Sequence, residues 1–232
     1  MLTLSPVEIE ALRLSLRVGL WSVAASLPLG LAVAFLLARG RFPGKILVDG
    51  LVHLPLVLPP VVVGFALLVL FGRHGPLGAF LYERLGITLA FTWKGAALAS
   101  AVMGFPLMVR AMRLSLELVD RRLEQAARTL GAGPIRVFLT VTLPLMGPGI
   151  LSGVILAFAR SISEFGATIT FVSNIPGETS TLPLALYALT QVPGTDVPAL
   201  RLALLSVALA MAALIVSEVM ARRLARRIQG VT

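Results

Sequence analysis

Arg160 and Glu164 stand four residues apart at the end of an apolar run, with Ser161, Ser163, Thr168 and Thr170 beside them. Four-residue spacing puts both charges on one helix face, where they can pair. Ionisable groups in apolar runs are functional candidates, because burying charge is costly. Two readings stay open: a structural ion pair, or an outer gate on a translocation path. The hydroxyls have the same two readings, lining a path or packing helices. High-affinity capture of a charged ligand needs several converging partners, such as Arg, hydroxyls or helix N-termini for an anion. This row is thin for that and suits a pore that passes an ion selected elsewhere. Asp49 with His53 and Glu218 with Arg222 have the same spacing at the edges of apolar runs and read as interfacial pairs.

Other chemistry is missing. The chain has no cysteine, which removes disulfides, thiolate metal sites and thiol nucleophiles together. No GxxxxGK[ST] motif occurs, so any ATP hydrolysis must come from a partner. His53 and His74 are isolated, and no Ser, His and Asp arrangement stands out, so neither a metal site nor an enzyme is predicted.

The elements that must position these residues are membrane spans. Hydrophobic residues make up 57% of the chain and charged ones 13%, against about 25% charged in soluble proteins; the mean hydropathy is +0.94. A net charge of +9 would suggest nucleic acid in a soluble domain. Here the basic residues lie between apolar runs and read as topology signals, with the lipid bilayer as the partner and no nucleic acid. A spanning helix needs about 20 apolar residues, and five stretches qualify: 14–38, 50–71, 88–110, 141–163 and 198–221. The chain is predicted as an all-α membrane protein, one transmembrane domain over 1–232. The stretch 179–195, broken by Pro183 and Pro193, is predicted as a short surface or re-entrant helix; as a span it would be a sixth. Residues 72–87 read as a connecting loop with one turn of helix. The run from Val18 to Ala38 is longer than the core of a cleavable signal and is expected to be a retained span.

Placing the N-terminus outside puts Arg39, Arg41, Lys45, Arg110, Arg113, Arg121, Arg122, Arg128, Arg136, Arg222, Arg223, Arg226 and Arg227 on the cytoplasmic side. That is 13 of the 20 basic residues, so N-out, C-in is predicted. Trp21, Tyr82 and Trp93 then fall near span ends, as interfacial aromatics do, and Lys94 can snorkel. LPLVLPPVVVG (54–64) and LPLMGPGILSG (143–153) share Pro and Gly spacing, read as similar entry geometry without duplication.

Between the third and fourth spans lies a polar element, 115–142. Ser115–Leu130 reads as a polar helix, Gly131 as its stop, and Pro134 as the first residue of a second short helix. Ala126, Ala127, Gly131 and Ala132 leave little side chain over the turn. Another protein could approach its backbone, with the flanking Arg residues pairing to acidic groups; a solvated loop is the alternative.

This element resembles the cytoplasmic loop of ABC importer permeases, whose pattern is Glu-Ala-Ala, three residues, Gly, nine residues, Ile, one residue, Leu-Pro. The chain has Gln125-Ala126-Ala127, Gly131, Val141 and Leu143-Pro144 at every spacing, with Gln125 in place of Glu and Glu124 beside it. Residues 161–187, SISEFGATITFVSNIPGETSTLPLALY, are similar to the matching region of molybdate importer permeases, and more loosely to tungstate and sulfate or thiosulfate members.

The resemblance implies a five-span permease of the bacterial cytoplasmic (inner) membrane, importing molybdate by alternating access. It implies a second copy of the chain, two cytoplasmic ABC ATPase subunits holding ATP and Mg, and a periplasmic or extracellular oxyanion-binding protein; no cofactor belongs to this chain. Gln125, Ala126, Ala127, Gly131, Ala132, Gly133 and Pro134 would lie at the ATPase contact. Arg160, Ser163, Glu164, Thr168 and Thr170 are the candidates for the path or gate. The rival is a secondary transporter driven by protons or sodium, which needs acidic or His residues near the membrane midplane, and the spans have almost none.

Overall fold

The computed structural model describes the backbone of residues 5–228 and the side chains of 5–216, 219 and 220. The predicted Glu218–Arg222 pair lies outside the described side chains.

α1 (Pro6–Arg39) begins at a capping box: Ser5 Oγ accepts from Glu8 N at 3.3 Å, and Ser5 N donates to Glu8 Oε2 at 2.6 Å. Its 34 residues give roughly 50 Å of helix, longer than a bilayer core of about 30 Å, so it overruns the predicted span 14–38 at its start. α2 (Lys45–Val57) and α3 (Pro60–Phe71) occupy the predicted span 50–71, yet the axis turns by 114° between them. Leu58 and Pro59 each precede a proline, which pushes them out of the α region, and neither Pro59 nor Pro60 has an N–H for the helix ladder. A second correction follows at α4 (Pro76–Leu85), a ten-residue helix where the expectation is a connecting loop with one turn of helix. Pro76 starts it, Gly86 ends it at φ +64°, and Gly78 lets it fold back onto the carbonyls of Phe71 and Gly72.

α5 (Trp93–Glu117) is followed by α6 (Arg121–Thr129), α7 (Pro134–Val137), a π-turn (Phe138–Thr142) and α8 (Leu143–Leu145). α9 (Gly147–Ile162), α10 (Gly166–Val172), α11 (Leu182–Thr190) and α12 (Asp196–Ile228) complete the order. The segment from α7 through α8 meets α9 at 66°, so the predicted span 141–163 is bent too. Among the described residues three helices, α1, α5 and α12, are long and apolar enough to cross a membrane by themselves, and counting each bent pair as one span raises the number to five.

α1, α5 and α12 run in one direction and α9 against them. Trp21 meets Trp93 and Gly30 meets Met108, while Glu8 pairs with Arg201 at 3.1 Å. Along the antiparallel α5–α9 seam, Gly149 sits on Ser115, Gly153 on Met108 and Gly104 on Ala157. Small residues at four-residue spacing bring backbones close where lipid supplies no hydrophobic drive. Leu37, Met108, Met112, Leu116 and Met146 fill one core at the end where α1 and α5 finish. At the opposite end α11 is buried through Leu182 and Ala185 against α1 and α12; Leu182 N donates to Ser15 Oγ at 2.7 Å. Within the segment 179–195 the first half is thus docked in the bundle, while residues 190–194 are exposed at its surface.

Candidate functional site

The predicted helix 115–130 is two helices. α5 continues to Glu117; Asp120 then caps α6, accepting from Arg122 N at 2.9 Å. α6 ends in a Schellman motif: Ala132 N donates to Ala127 O, Gly131 N to Arg128 O, and Gly131 takes φ +83°. Pro134 opens α7. Gln125, Ala126, Gly131, Gly133 and Pro134 are exposed, and Ala127 and Ala132 half-buried. Two large apolar side chains flank them, Leu130 at 88% exposure and Ile135 at 75%. The turn is a knob with small residues at its tip and unpartnered apolar groups on its shoulders.

On its inner side α6 is held by one carboxylate. Glu124 Oε1 accepts from Arg39 Nη2 at 3.1 Å and from Thr142 Oγ1 at 2.8 Å. The Arg39 and Glu124 side chains are only 15% and 16% exposed. A groove of about 350 Å³ beside them is lined by Phe35, Arg121, Gln125, Arg128 and Phe138 among others, so cations dominate it. Nearby, Arg113 bridges Asp49 at 3.0 Å and Glu117 at 2.9 Å, and His53 Nδ1 lies 3.2 Å from Asp49 Oδ1. The expected Asp49–His53 pair is thus centred on Arg113.

At the opposite end Arg160 Nη1 approaches Glu164 Oε2 at 2.7 Å, an ion pair without hydrogen-bond alignment. Glu164 is 1% exposed, and its Oε1 accepts from Ala167 N at 2.8 Å in the first turn of α10. The polar row is divided, because α9 stops at Ile162 and Thr168 and Thr170 belong to α10. Ser163, Thr168 and Thr170 donate to the carbonyls of Arg160, Phe165 and Gly166, and Ser22 Oγ donates to Ser161 Oγ. These hydroxyls are spent on local backbone and on helix packing.

Sequence reasoning missed four contacts: Glu124 to Arg39 and to Thr142, Glu178 accepting from Trp93 N at 3.2 Å, and Arg17 3.7 Å above the Trp93 ring. Only the position of Glu124 next to Gln125 was a local signal. Among the described residues no group of three His, Cys, Asp or Glu could hold a metal ion, and His74 stands exposed and apart.

Residues 26–230 match the family described as binding-protein-dependent transport system inner membrane component. The chain belongs to this family. It is 62% identical to the molybdenum transport system permease protein ModB of Escherichia coli (strain K12), over 94% of this chain and 96% of that one. With the protein of the same name from Haemophilus influenzae it shares 55% identity, covering 96% and 97%. A bacterial alginate ABC transporter, solved in complex with an alginate pentasaccharide-bound periplasmic protein, contains a chain of like fold, with a TM-score of 0.74 at 17% identity, covering 94% of this chain and 80% of that one. The permease is a multi-pass protein of the bacterial inner membrane.

Proposed function

We propose that the permease imports molybdate as a homodimer, N-terminus outside, energised by two cytoplasmic ABC ATPase subunits that hold ATP and Mg. The substrate reading rests on one observation: 62% identity, over 94% of this chain, to a molybdenum transport permease. The tip formed by Gln125, Ala126, Ala127, Gly131, Ala132, Gly133 and Pro134 seats in the ATPase subunit, with Leu130 and Ile135 filling apolar depressions of that partner. Their exposure on either side of the small-residue tip supports this, since exposed apolar surface rimmed by polar groups marks interaction sites.

ATP binding closes the ATPase pair and draws the two coupling elements together. The spans then open outward to a periplasmic oxyanion-binding protein; hydrolysis resets them. Arg160 and Glu164 sit at the outer end of α9 in this orientation. Glu164 joins α9 to α10, so the pair acts as a gate hinge, with Ser163, Thr168 and Thr170 holding the local backbone.

The test is reconstitution of the complex with its binding protein and measurement of ATP-dependent uptake of molybdate, tungstate and sulfate. Molybdate is expected to be taken up in preference to sulfate. A preference for sulfate, or uptake driven by a proton or sodium gradient without ATP, overturns the reading.

A further inference from the structure

We infer that Glu124 is the positioning residue through which movement of the coupling knob reaches the spans, an inference that rests on the importer reading above. α6 buries none of its residues, so apolar packing does little to hold it. Among the described residues, its only side-chain hydrogen bonds to other elements are the two accepted by Glu124 Oε1. Those two bonds reach separate parts of the bundle. Arg39 is the last residue of α1, and Thr142 is the last residue of the π-turn that leads through α8 into α9.

The junction is built to carry force. Thr142 is buried, and Arg39 and Glu124 are largely shielded from water, so the charge-assisted bonds are stronger than at an open surface. One turn before Arg39 on α1, Phe35 meets Phe138 of the π-turn edge-on with ring centroids 5.6 Å apart, which keeps α1 and the π-turn together. Leu143 N donates to Phe138 O across the widened turn, a geometry concentrated at functional sites. A sideways displacement of α6 therefore pulls the end of α1 and the approach to α9 at once.

Gln125 makes no inward hydrogen bond and is exposed. Gln125 lines the groove beside this junction, and the link to the spans is made by its neighbour Glu124. The chain thus keeps a carboxylate link inside the element even though the pattern's leading Glu is absent.

The experiment compares wild type, Glu124→Gln and the charge-swapped R39E/E124R in the full reconstituted complex. ATPase-subunit association, ATP hydrolysis and molybdate uptake are measured on each. Glu124→Gln is expected to keep the ATPase subunit bound and to hydrolyse ATP within about twofold of wild type, while molybdate taken up per ATP falls by about tenfold. R39E/E124R is expected to recover most of that ratio. Unchanged uptake per ATP in Glu124→Gln overturns the inference; so does parallel loss of association, hydrolysis and uptake, which marks a merely structural contact, or a swap no better than the single change. A wild-type complex without ATP-driven uptake overturns the importer reading and the inference with it. Normal wild-type uptake with normal Glu124→Gln overturns the inference alone.

Discussion

Gly131 holds its place for the sake of the backbone. Its φ is +83°, and a Cβ there would meet nothing within 4 Å, so a side chain is excluded by conformation and not by space. A left-handed conformation costs an ordinary L-residue about 1–2 kcal/mol, while Asn visits it more readily. Gly131→Val is therefore expected to reshape the knob and lose both ATPase co-purification and uptake while still inserting in the membrane. Gly131→Asn is expected to retain most of both; equal loss in the two variants would mean that space at the partner surface, and not φ, decides. The glycine and the small residues around it were legible because turn chemistry is local. The partners of Arg39 were not, since Glu124 lies 85 positions further along the chain and no spacing rule connects them. Arg160 and Glu164 are the converse case: their four-residue spacing announced the pair, and only the structure showed that Glu164 is buried and also caps α10.

At the scale of elements, the seam between α5 and α9 carries the most stringent packing. A Cβ at Gly153 would stand 2.9 Å from Met108 O, in the backbone of the facing helix. Overpacking of this kind typically costs 1–3 kcal/mol, about 2 in the middle of the range. Gly153→Leu is thus expected to lower the thermal unfolding midpoint of the detergent-solubilised protein, measured by its intrinsic fluorescence. Gly50→Ala, where nothing lies within 4 Å, is expected to leave it unchanged or slightly raised, because Ala is the better helix former; an unaltered midpoint in Gly153→Leu would mean that the two helices can separate without loss. The spans were visible from hydropathy. Their bends were passed over, although the cause at Leu58–Pro60 stands in the sequence as two consecutive prolines. α4 was missed because Glu83 and Arg84 made its second half look like loop, while its starting Pro76 and terminating Gly86 are ordinary helix punctuation.

For the whole molecule, the ends of α1 and α5, the knob and the start of α9 lie together, and the starts of α1, α5 and α12 lie at the opposite end. The chain has no cysteine, so single introduced thiols report orientation without background. Arg128→Cys is expected to react with a membrane-impermeant maleimide only in inside-out vesicles, and Lys94→Cys only in right-side-out cells; both side chains are exposed. Reversed labelling would reverse the topology and remove the proposed ATPase contact from the knob. Sequence by itself determined that the chain is a membrane protein, where its apolar segments lie, and that a polar helix-turn-helix element lies between two of them. Those properties depend on composition, local turn geometry and the distribution of charge along the chain. Tertiary structure alone decided that α1 runs parallel to α5, that α9 locks against α5 through glycines, and that one half-buried carboxylate ties the knob to both α1 and the approach to α9. These depend on how surfaces far apart in the chain fit together, as between Ser22 and Ser161, 139 residues apart. No periodicity along a single segment encodes that fit.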